Sequence, residues 1–444
     1  MGRPEEKGRL VFHPMTYLVY DTALSIAAAP AAAWLALRRK HRPLLRRFSP
    51  SLPANCRRPI WMQACSVGEV ATARPIVAAM RVRWPGVPIV LTASTAAGHA
   101  LAQSDAAGAT VAWFPFDHPW VVRRFVRRLD PLALVLVETE VWPNVLREMC
   151  RHGAPVIIIT GRLSDKHFRR YLRARTLLRP VFRQIRVAGM QNEEYAERLA
   201  ALGVPPTAIH VTGNTKFDGV TSSIPDEVCT SIRNENGFPE NAPILLFGST
   251  RPGDEALAAT SLRRLRTRSP ELRLILAPRH VERADQAAGL FNEPVLRRSE
   301  VCKGAKPRDE RVFVLDTLGE LRTFYGIATI AVVGGSFFPG VDGHNPLEPA
   351  ALGTPTVFGP YMRNFEDLAR ALTDRQGACQ VAAADELPAA LERLLADDAE
   401  RARIGANARA AVLANQGAVE RNLDLLAGVL DAEEAGNRQN RTFP

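Results

Sequence analysis

Short apolar runs alternate with longer stretches of mixed polarity along the chain, from Ile60 into its C-terminal third. Continuous apolar runs are typical of parallel strands, because helices cover such strands on both faces. The intervening stretches are long enough for crossover helices. The pattern therefore predicts an α/β fold with two series of parallel strands. The first series is Ile60–Cys65, Pro88–Ala93, Thr110–Trp113, Leu132–Val137, Pro155–Thr160, Ile185–Gly189 and His210–Gly213, and the second is Ile244–Phe247, Leu272–Ala277, Val312–Leu315, Ile327–Val333 and Thr354–Phe358.

A stretch with few aliphatic residues separates the two series. It runs from about Asp218 to Ala242 and contains Pro225 and Pro239, which is typical of a linker. Two Rossmann-like domains facing a cleft are therefore expected, with ligands at the carboxyl ends of the strands. The predicted boundaries are 1–47 for an N-terminal anchor and its basic flank, 48–220 for the first domain, 221–242 for the linker, 243–430 for the second domain and 431–444 for a polar tail.

The segment Met15–Leu37 is almost wholly apolar, broken chiefly by Asp21 and Pro30. Its length allows a tilted membrane-spanning helix. The basic cluster Arg38–Arg47 follows directly, and the positive-inside rule would then keep the following domains in the cytoplasm. The many alanines and Asp21 also allow a helix that lies in the membrane interface, and both alternatives stay open.

The distribution of charge and of cysteines indicates the kind of binding partner and the cellular compartment. The net charge is +11, and between Trp120 and Arg186 there are 15 Arg plus Lys against 5 Asp plus Glu. This local excess indicates an anionic partner, either nucleic acid or an acidic membrane surface. The stretch Lys166–Arg186 either lies on such a surface or is an ordinary solvated helix face. Six scattered cysteines without a CxxC pair argue for a reducing compartment and against a zinc site or disulfide framework.

Polar residues directly follow three predicted strands of the first domain. Glu69 lies at a strand-to-helix turn, where a carboxylate can act as a general base or simply complement the helix dipole. Glu138 and Glu140 are two residues apart at a strand end, so only one can aim into the cleft, and both can instead pair with nearby arginines. Lys216 can neutralise a substrate carboxylate or a leaving-group charge, or be a solvated loop residue.

Loops after four strands of the second domain suit a nucleotide. Gly248–Glu255 is a glycine- and hydroxyl-bearing loop before a helix, and Arg279 can hold a phosphate or stack on a base. Gly319–Leu321 begins another helix and offers backbone N–H groups. Gly334-Gly335 is followed by a helix start at Asn345–Glu348, where Glu348 can accept hydrogen bonds from a ribose diol. Each loop alone is equally consistent with an ordinary corner between a strand and a helix.

Together these segments resemble the Kdo transferases, which attach 3-deoxy-D-manno-octulosonic acid (Kdo) to lipid A precursors in Gram-negative bacteria. The matching pieces occur in family order and cover most of the chain from about Ile60 to Asn364. They are SVGEV (66–70), TASTAAG (92–98), FPFD (114–117), VETEVWPN (137–144), GNTKFD (213–218), FGSTRPGDE (247–255), APRH (277–280), TLGEL (317–321), GGS (334–336) and GHNPLEPA (343–350).

The resemblance implies an inverting glycosyltransferase of the GT-B fold that takes CMP-Kdo as donor and needs neither a cofactor nor a metal. It implies Glu69 as catalytic base, and Glu138 and Lys216 as residues that stabilise the transition state. The positions that it implies for CMP contacts are Pro278, Arg279, Gly319, Glu320, Leu321, Asn345, Pro346, Leu347 and Glu348.

The acceptor implied by the resemblance is the tetraacylated disaccharide bisphosphate lipid A precursor. This favours an inner-membrane surface with anionic lipid, on its cytoplasmic side, over nucleic acid as the anionic partner. The chain departs from the family pattern at Gln63 and Arg251, where histidine is common, and at Val281, where proline is common. Two rival hypotheses are another GT-B enzyme that uses a UDP-sugar, such as a lipid A disaccharide synthase or an epimerase, and a non-enzymatic, membrane-tethered receptor for nucleotides or anionic lipids.

Overall fold

The chain divides into two compact units in a computed structural model that describes residues 14–52 and 56–441, with side chains for 17–52 and 56–432. The first unit comprises Met1–Asp218 and Gln416–Pro444, and the second comprises Gly219–Asn415. Each unit is built on a parallel seven-stranded sheet. The α/β prediction is therefore confirmed.

The sheet of the first unit has the strand order β3-β2-β1-β4-β5-β6-β7. Strands β1, β2, β4 and β5 are buried along their whole length, which explains their continuous apolar sequences. The strands are β1 Ile60–Gln63, β2 Ile89–Ala93, β3 Thr110–Trp113, β4 Ala133–Val137, β5 Val156–Gly161, β6 Ile185–Met190 and β7 Ile209–Val211. The helices are α1 Pro14–Leu37, α2 Val67–Arg83, α3 Ala96–Ser104, α4 Pro119–Leu129, α5 Pro143–His152, α6 Asp165–Arg173, α7 Arg175–Phe182 and α8 Glu193–Leu202.

The sheet of the second unit has the order β10-β11-β9-β8-β12-β13-β14. Its strands are β8 Ile244–Thr250, β9 Arg273–Pro278, β10 Val295–Arg297, β11 Val312–Val314, β12 Ile330–Val333, β13 Thr356–Phe358 and β14 Ala378–Gln380. Its helices are α9 Asp226–Glu235, α10 Asp254–Leu265, α11 Ala284–Ala288, α12 Arg298–Cys302, α13 Leu321–Tyr325, α14 Leu347–Ala351, α15 Glu366–Thr373, α16 Leu387–Ala396 and α17 Asp398–Asn415.

The last helix, α18 (Ala418–Arg441), returns to the first unit. Its Leu423 and Leu426 are buried in the same apolar cluster as residues of α2 and β1. The carboxylate of Asp218 fixes the start of this helix by accepting hydrogen bonds from the backbone N–H groups of Gly417 and Val419. The chain thus begins and ends its described part in the same unit.

The structure differs from the sequence-based boundaries in two places. The expected linker 221–242 contains α9, whose Ile232 is buried together with Phe238 in the core of the second unit. The expected second domain extended to residue 430, whereas α18 packs on the first unit and continues through most of the expected tail 431–444. The first difference arises because an amphipathic helix with few apolar positions resembles a polar linker until its packing partner is known. The second arises because the order of elements along the chain does not show that α18 returns to the first unit.

Candidate active site

Glu69 lies in the first turn of α2, directly after the turn that follows β1. Ser66 caps the helix, and its hydroxyl donates a hydrogen bond to Oε1 of Glu69 at 3.0 Å. The backbone N–H of Cys65 donates to Oε2 of Glu69 at 2.6 Å. The carboxyl group therefore folds back over its own turn, and the residue is only 9% exposed.

The segment TASTAAG supports this turn from the neighbouring strand. The hydroxyl of Thr95 donates to the carbonyl oxygen of Cys65 at 2.8 Å. A side chain at Gly98 would place its Cβ 2.9 Å from the same carbonyl oxygen, so the start of α3 packs against the turn only with glycine there. The SVGE and TASTAAG segments thus form one structural unit around Glu69.

Glu140 joins Glu69 from the end of β4. Its Oε2 accepts hydrogen bonds from Trp142 Nε1 at 3.2 Å and from Gln63 Nε2 at 3.4 Å. Gln63 also accepts from Thr92 Oγ1 at 2.7 Å. A buried amide thus links the ends of β1 and β2 to this acid.

Glu138 adopts the left-handed backbone conformation, with φ of 62°, and its N–H donates to the carbonyl of Ile159. This backbone conformation is rare for residues other than glycine, and here it marks a sharp change of chain direction. Of the two acids after β4, Glu140 has the stronger electrostatic effect on Glu69, and Glu138 has a weaker one. The sequence left both acids as alternatives for the cleft, and only the resemblance to the family selected Glu138.

The electrostatics of Glu69 suit proton transfer. Burial, the charge of Glu140 and, less strongly, that of Glu138 raise the pKa of Glu69 to about 8, although the hydrogen bonds from Cys65 and Ser66 oppose the rise. Burial, the charge of Glu140 and, less strongly, that of Glu69 raise the pKa of the Cys65 thiol to about 12, so this thiol stays protonated. One atom of each of Cys65, Glu69 and Glu140 lies within 4.8 Å of the others, so this group has the spacing of a cation site.

Lys216 lies in a short 3-10 helix, Thr215–Phe217, that follows β7. Asn214 caps this helix by accepting from the N–H of Lys216 at 3.0 Å. Strands β1 and β4 are neighbours in the sheet, whereas β7 is at its edge. The structure therefore brings Glu69, Glu138 and Glu140 together, and it places half-buried Lys216 further along the same carboxyl edge.

In the second unit, the candidate loops follow β11, β9, β8 and β12, which are consecutive in the sheet. The loops are therefore adjacent at its carboxyl edge. Gly334 allows two of these loops to approach closely, since a Cβ there would lie 2.6 Å from the carbonyl oxygen of Ser249. Buried Asp254 joins two of the loops by accepting from the N–H groups of Gly335 and Arg251, at 2.7 and 2.8 Å. Burial raises the pKa of Asp254 to about 6.

A cationic group occupies this edge. Arg251 donates from Nε to Nε2 of His344 at 3.3 Å and from Nη1 to Nε2 of His280 at 2.8 Å. Burial, together with the charges of Arg251, Arg279 and His280, lowers the pKa of His344 to about 4, so this histidine is neutral near pH 7. The guanidinium groups of Arg251 and Arg279 give this edge a positive potential, as an anionic ligand requires.

Glu348 lies in the first turn of α14 and is half-buried. Burial raises its pKa, while a hydrogen bond from Asn345 and the charges of Arg322 and Arg279 oppose the rise. The backbone N–H of Leu347 donates to Asn345 Oδ1 at 3.1 Å, just before the start of this helix. The structure thus places Asn345, Pro346, Leu347 and Glu348 beside Arg279, which directly follows Pro278 at the end of β9.

Glu320 is held differently from the other candidates of the second unit. Its Oε1 accepts from Nε and Nη2 of Arg298 at 3.0 and 2.9 Å, and its Oε2 accepts from Thr317. The pKa of Glu320 is lowered by these hydrogen bonds against the effect of burial. Its side chain therefore fixes the loop, which leaves the backbone at Gly319, Glu320 and Leu321 as the part suited to a ligand.

The structure adds Cys65, Asp254 and His344, which the sequence did not single out, and it gives a definite place to Glu140, one of the two alternatives after β4. Cys65 and Glu140 join Glu69, while Asp254 and His344 complete the edge of the second unit. All four lie inside the motifs or directly beside them, so proximity to a motif was the only available signal. Their convergence depends on the order of strands in each sheet, which the order along the chain does not show.

Comparison with known proteins gives consistent results. Residues 38–219 match the family model described as 3-deoxy-D-manno-octulosonic-acid transferase (kdotransferase). The chain is 33% identical to the 3-deoxy-D-manno-octulosonic acid transferase of Haemophilus influenzae over 384 residues, 85% of this chain and 89% of that protein. It is 34% identical to the enzyme of the same name from Bordetella pertussis over 389 residues, 84% and 88% of the two chains.

Solved structures support the fold independently. A glycosyltransferase from Rickettsia africae matches with a TM-score of 0.54 and 12% identity, over 84% of this chain and 99% of that one. A UDP-GlcNAc 2-epimerase from Neisseria meningitidis matches with a TM-score of 0.53 and 11% identity, over 83% and 100%. At such identities the likeness concerns the fold alone.

Two units, each with a parallel seven-stranded sheet and polar loops at the carboxyl ends of its strands, have the architecture of the GT-B fold, which glycosyltransferases and epimerases share. Identity of about one third, over most of both chains, goes further than the fold. The chain belongs to the family of 3-deoxy-D-manno-octulosonic acid transferases.

Proposed function

We propose that this protein transfers Kdo from CMP-Kdo to a hydroxyl group of the tetraacylated lipid A precursor, with inversion at the anomeric carbon. Glu69 acts as the general base, and neither a metal nor a cofactor takes part. Family membership supports the transfer of Kdo, and the geometry supports the role of Glu69.

The observation that carries the proposal is the environment of Glu69. A general base is most effective when its pKa lies near the working pH. Burial and Glu140 raise the pKa of Glu69 to about 8, far above that of an ordinary glutamate. The ionised form of Glu69 is therefore a strong enough base to take the proton of an attacking hydroxyl group. The same buried surroundings stabilise Glu69 after it has been protonated.

The donor binds in the second unit under this proposal. The positive potential around Arg251 and Arg279 favours the phosphodiester of CMP-Kdo and stabilises the phosphate as it departs. Glu348 accepts hydrogen bonds from the ribose hydroxyls. The backbone of Gly319–Leu321 contacts the cytosine base of the donor. The side chain of Glu320 does not take part, because it is paired with Arg298.

Glu138 and Lys216 stabilise the transition state in this scheme, as the resemblance to the family implies. Glu138 has a second effect, because its negative charge raises the pKa of Glu69. The proposal assigns no metal to the Cys65–Glu69–Glu140 group, in which both oxygens of Glu69 and one of Glu140 accept hydrogen bonds from the protein.

The reaction takes place at the cytoplasmic face of the inner membrane. Helix α1 is long and apolar enough between Tyr17 and Leu37 to cross a membrane, judged by length and composition. The basic stretch Lys166–Arg186, which forms α6 and α7, binds anionic lipid in this scheme.

Calorimetry with CMP and with UDP separates this proposal from the reading as a UDP-sugar enzyme. Binding of CMP, with UDP weaker by tenfold or more, is the expected result; tighter binding of UDP would overturn the donor assignment. A Glu69→Gln variant that binds CMP normally but has lost turnover would exclude the non-enzymatic receptor.

A further inference from the structure

The start of helix α1 is held against the first unit by polar contacts along one face. Tyr17 is 3% exposed, and its hydroxyl accepts from Gln184 Nε2 at 2.7 Å. The guanidinium of Arg147 lies 4.5 Å from the centre of the Tyr17 ring and donates to Asp21 Oδ2 at 2.9 Å. Because Arg147 is itself buried, withdrawal of Asp21 would leave an unpaired charge inside the protein.

The next contacts continue along the same face. Tyr20 donates from its hydroxyl to Oδ2 of Asp117 at 2.9 Å. Asp117 is buried and also accepts from the N–H groups of Asn144 and Val145, at the start of α5. Ser25, one turn further along α1, lies 3.2 Å from Nε2 of His118. Residues 17, 21 and 25 are spaced four apart, so they form one stripe on the helix.

The chain returns to the same place after α1 ends. The backbone carbonyl of Arg47 accepts from the N–H of Phe116 at 2.8 Å, and the Arg47 side chain donates to the carbonyl of Phe114 at 3.1 Å. The rings of Phe48 and Phe116 stack with centroids 4.5 Å apart. The segment 114–118 therefore contacts the chain both before and after the apolar half of α1.

This arrangement is incompatible with a helix that crosses a bilayer. The hydrocarbon core is about 30 Å thick, so a spanning helix needs about 20 residues between its two surfaces. Only Ile26–Leu37 lies beyond the last contact of α1 with segment 114–118, and at 1.5 Å per residue it is about 18 Å long. Moving Tyr17 to the far side would break all the contacts described above.

The opposite face of α1 is apolar and open. Val19, Ile26 and Leu37 are exposed on this face, and Trp34 at its margin is 48% exposed. A basic cluster, Arg38 to Arg42, follows directly. An apolar face with a tryptophan and adjacent cations suits the boundary between acyl chains and anionic headgroups.

We propose that α1 is a monotopic anchor, with one face fixed on segment 114–118 and α5 while the opposite face lies in a single leaflet of a bilayer that contains anionic phospholipid. The inference deepens the membrane association in the proposed function and rests on it. The anchor does not cross, so both ends of α1 stay on the side of the enzyme domains.

Epitope accessibility tests the topology on the full-length protein. An epitope at the N-terminus and another at the C-terminus should both resist protease added outside intact spheroplasts, and both should be cut in inverted membrane vesicles. The matched control is a protein of the same membrane with a known external epitope, which must be cut in the spheroplasts. Cleavage of the N-terminal epitope alone in intact spheroplasts would show that α1 spans and would overturn the inference.

Depth measurements give a second, independent readout. Single labels at Val19→Cys, Ile26→Cys and Leu37→Cys are compared on vesicles of phosphatidylethanolamine and phosphatidylglycerol, with exposed Val82→Cys of α2 as the control outside the bilayer. A monotopic helix places all three labels at similar depth, within about 10 Å of the headgroups. A label at Ile26 that lies at the bilayer centre, deeper than the other two, would contradict the inference, and so would labels that stay in water. Kdo transfer in detergent is assayed separately, so a failure of the proposed reaction is distinguishable from a failure of the proposed topology.

Discussion

At the scale of single residues, Glu69 shows what sequence can and cannot provide. Its place at a strand-to-helix turn follows from the sequence, but a first-turn glutamate that complements the helix dipole fits the same position. Glu69 is only 9% exposed and lies close to Glu140, and both observations favour a general base over a glutamate that only complements the helix dipole. The approach depends on the pairing of β1 with β4, which are separated along the chain by two strands and three helices, so no local pattern reveals it.

Replacement of Glu69 by glutamine keeps the size of the side chain and removes the base. We expect turnover to fall roughly 100-fold or more, the usual effect of losing an acid–base group, while the affinity for CMP stays unchanged. Glu193→Gln in the first turn of α8 is the matched control, because Glu193 is exposed and complements its helix dipole in the same way. Near-normal turnover of Glu69→Gln would remove Glu69 from the mechanism.

The pH dependence of the reaction follows from the raised pKa of Glu69. Only the ionised carboxylate can accept a proton, so kcat/KM should rise with pH through a limb near pH 8. Glu140→Gln removes a negative charge next to Glu69, which makes ionisation easier and lowers the pKa. The limb should therefore move to lower pH in that variant. A limb that stays in place or moves upward would show that Glu140 does not act on the base.

At the scale of elements, the two sites have the same construction. Each is made from loops that follow adjacent parallel strands, and in each a position where only glycine fits allows two backbones to meet. Gly98 serves the turn of Glu69, and Gly334 joins the ends of β12 and β8. The sequence indicated a close backbone approach at the GGS segment, but not which carbonyl it approaches.

A methyl group at position 334 tests this construction. Gly334→Ala would place a Cβ 2.6 Å from the carbonyl oxygen of Ser249, so the loops of β8 and β12 must separate. We expect a loss of about 1–3 kcal/mol in the free energy of unfolding, as for other overpacked sites, together with weaker CMP binding. Gly86→Ala is the control, since the space around that glycine is open. Unchanged stability and CMP affinity in Gly334→Ala would contradict the proposed close approach.

The first turn of α14 provides a test of the nucleotide site. Glu348→Ala should weaken CMP binding by about 1–3 kcal/mol, because the ribose hydroxyls would lose their acceptor in a half-buried site. Exposed Glu271→Ala in the same unit should bind CMP like the parent protein. Equal CMP affinities of the two variants by calorimetry would place the nucleotide elsewhere.

At the scale of the whole molecule, the sequence predicted both sheets but not every element in them. Each of the twelve predicted strand segments contains or overlaps a strand of the structure, because buried parallel strands have unmistakable apolar runs. The strands β10 and β14 escaped prediction. Each has three residues, lies at a sheet edge and is only partly buried, so it lacks a continuous apolar run.

The residues of the candidate sites also fall into those that the sequence predicted and those that it did not. The motif residues were identifiable from the sequence, whereas Glu140 and His344 gained their place only from the fold. Helix α18 shows the limit most clearly, since its buried Leu423 and Leu426 pack on strands far away in the chain.

The central claim is that this chain transfers Kdo from CMP-Kdo to a lipid acceptor. Mass spectrometry of the products, after incubation of the full-length protein with CMP-Kdo and the tetraacylated lipid A precursor, tests it most directly. The account predicts acceptor that has gained Kdo, with the same yield in excess EDTA, and no such product with Glu69→Gln. An unchanged acceptor with CMP-Kdo, under conditions where the same preparation glycosylates an acceptor from a UDP-sugar, would contradict it.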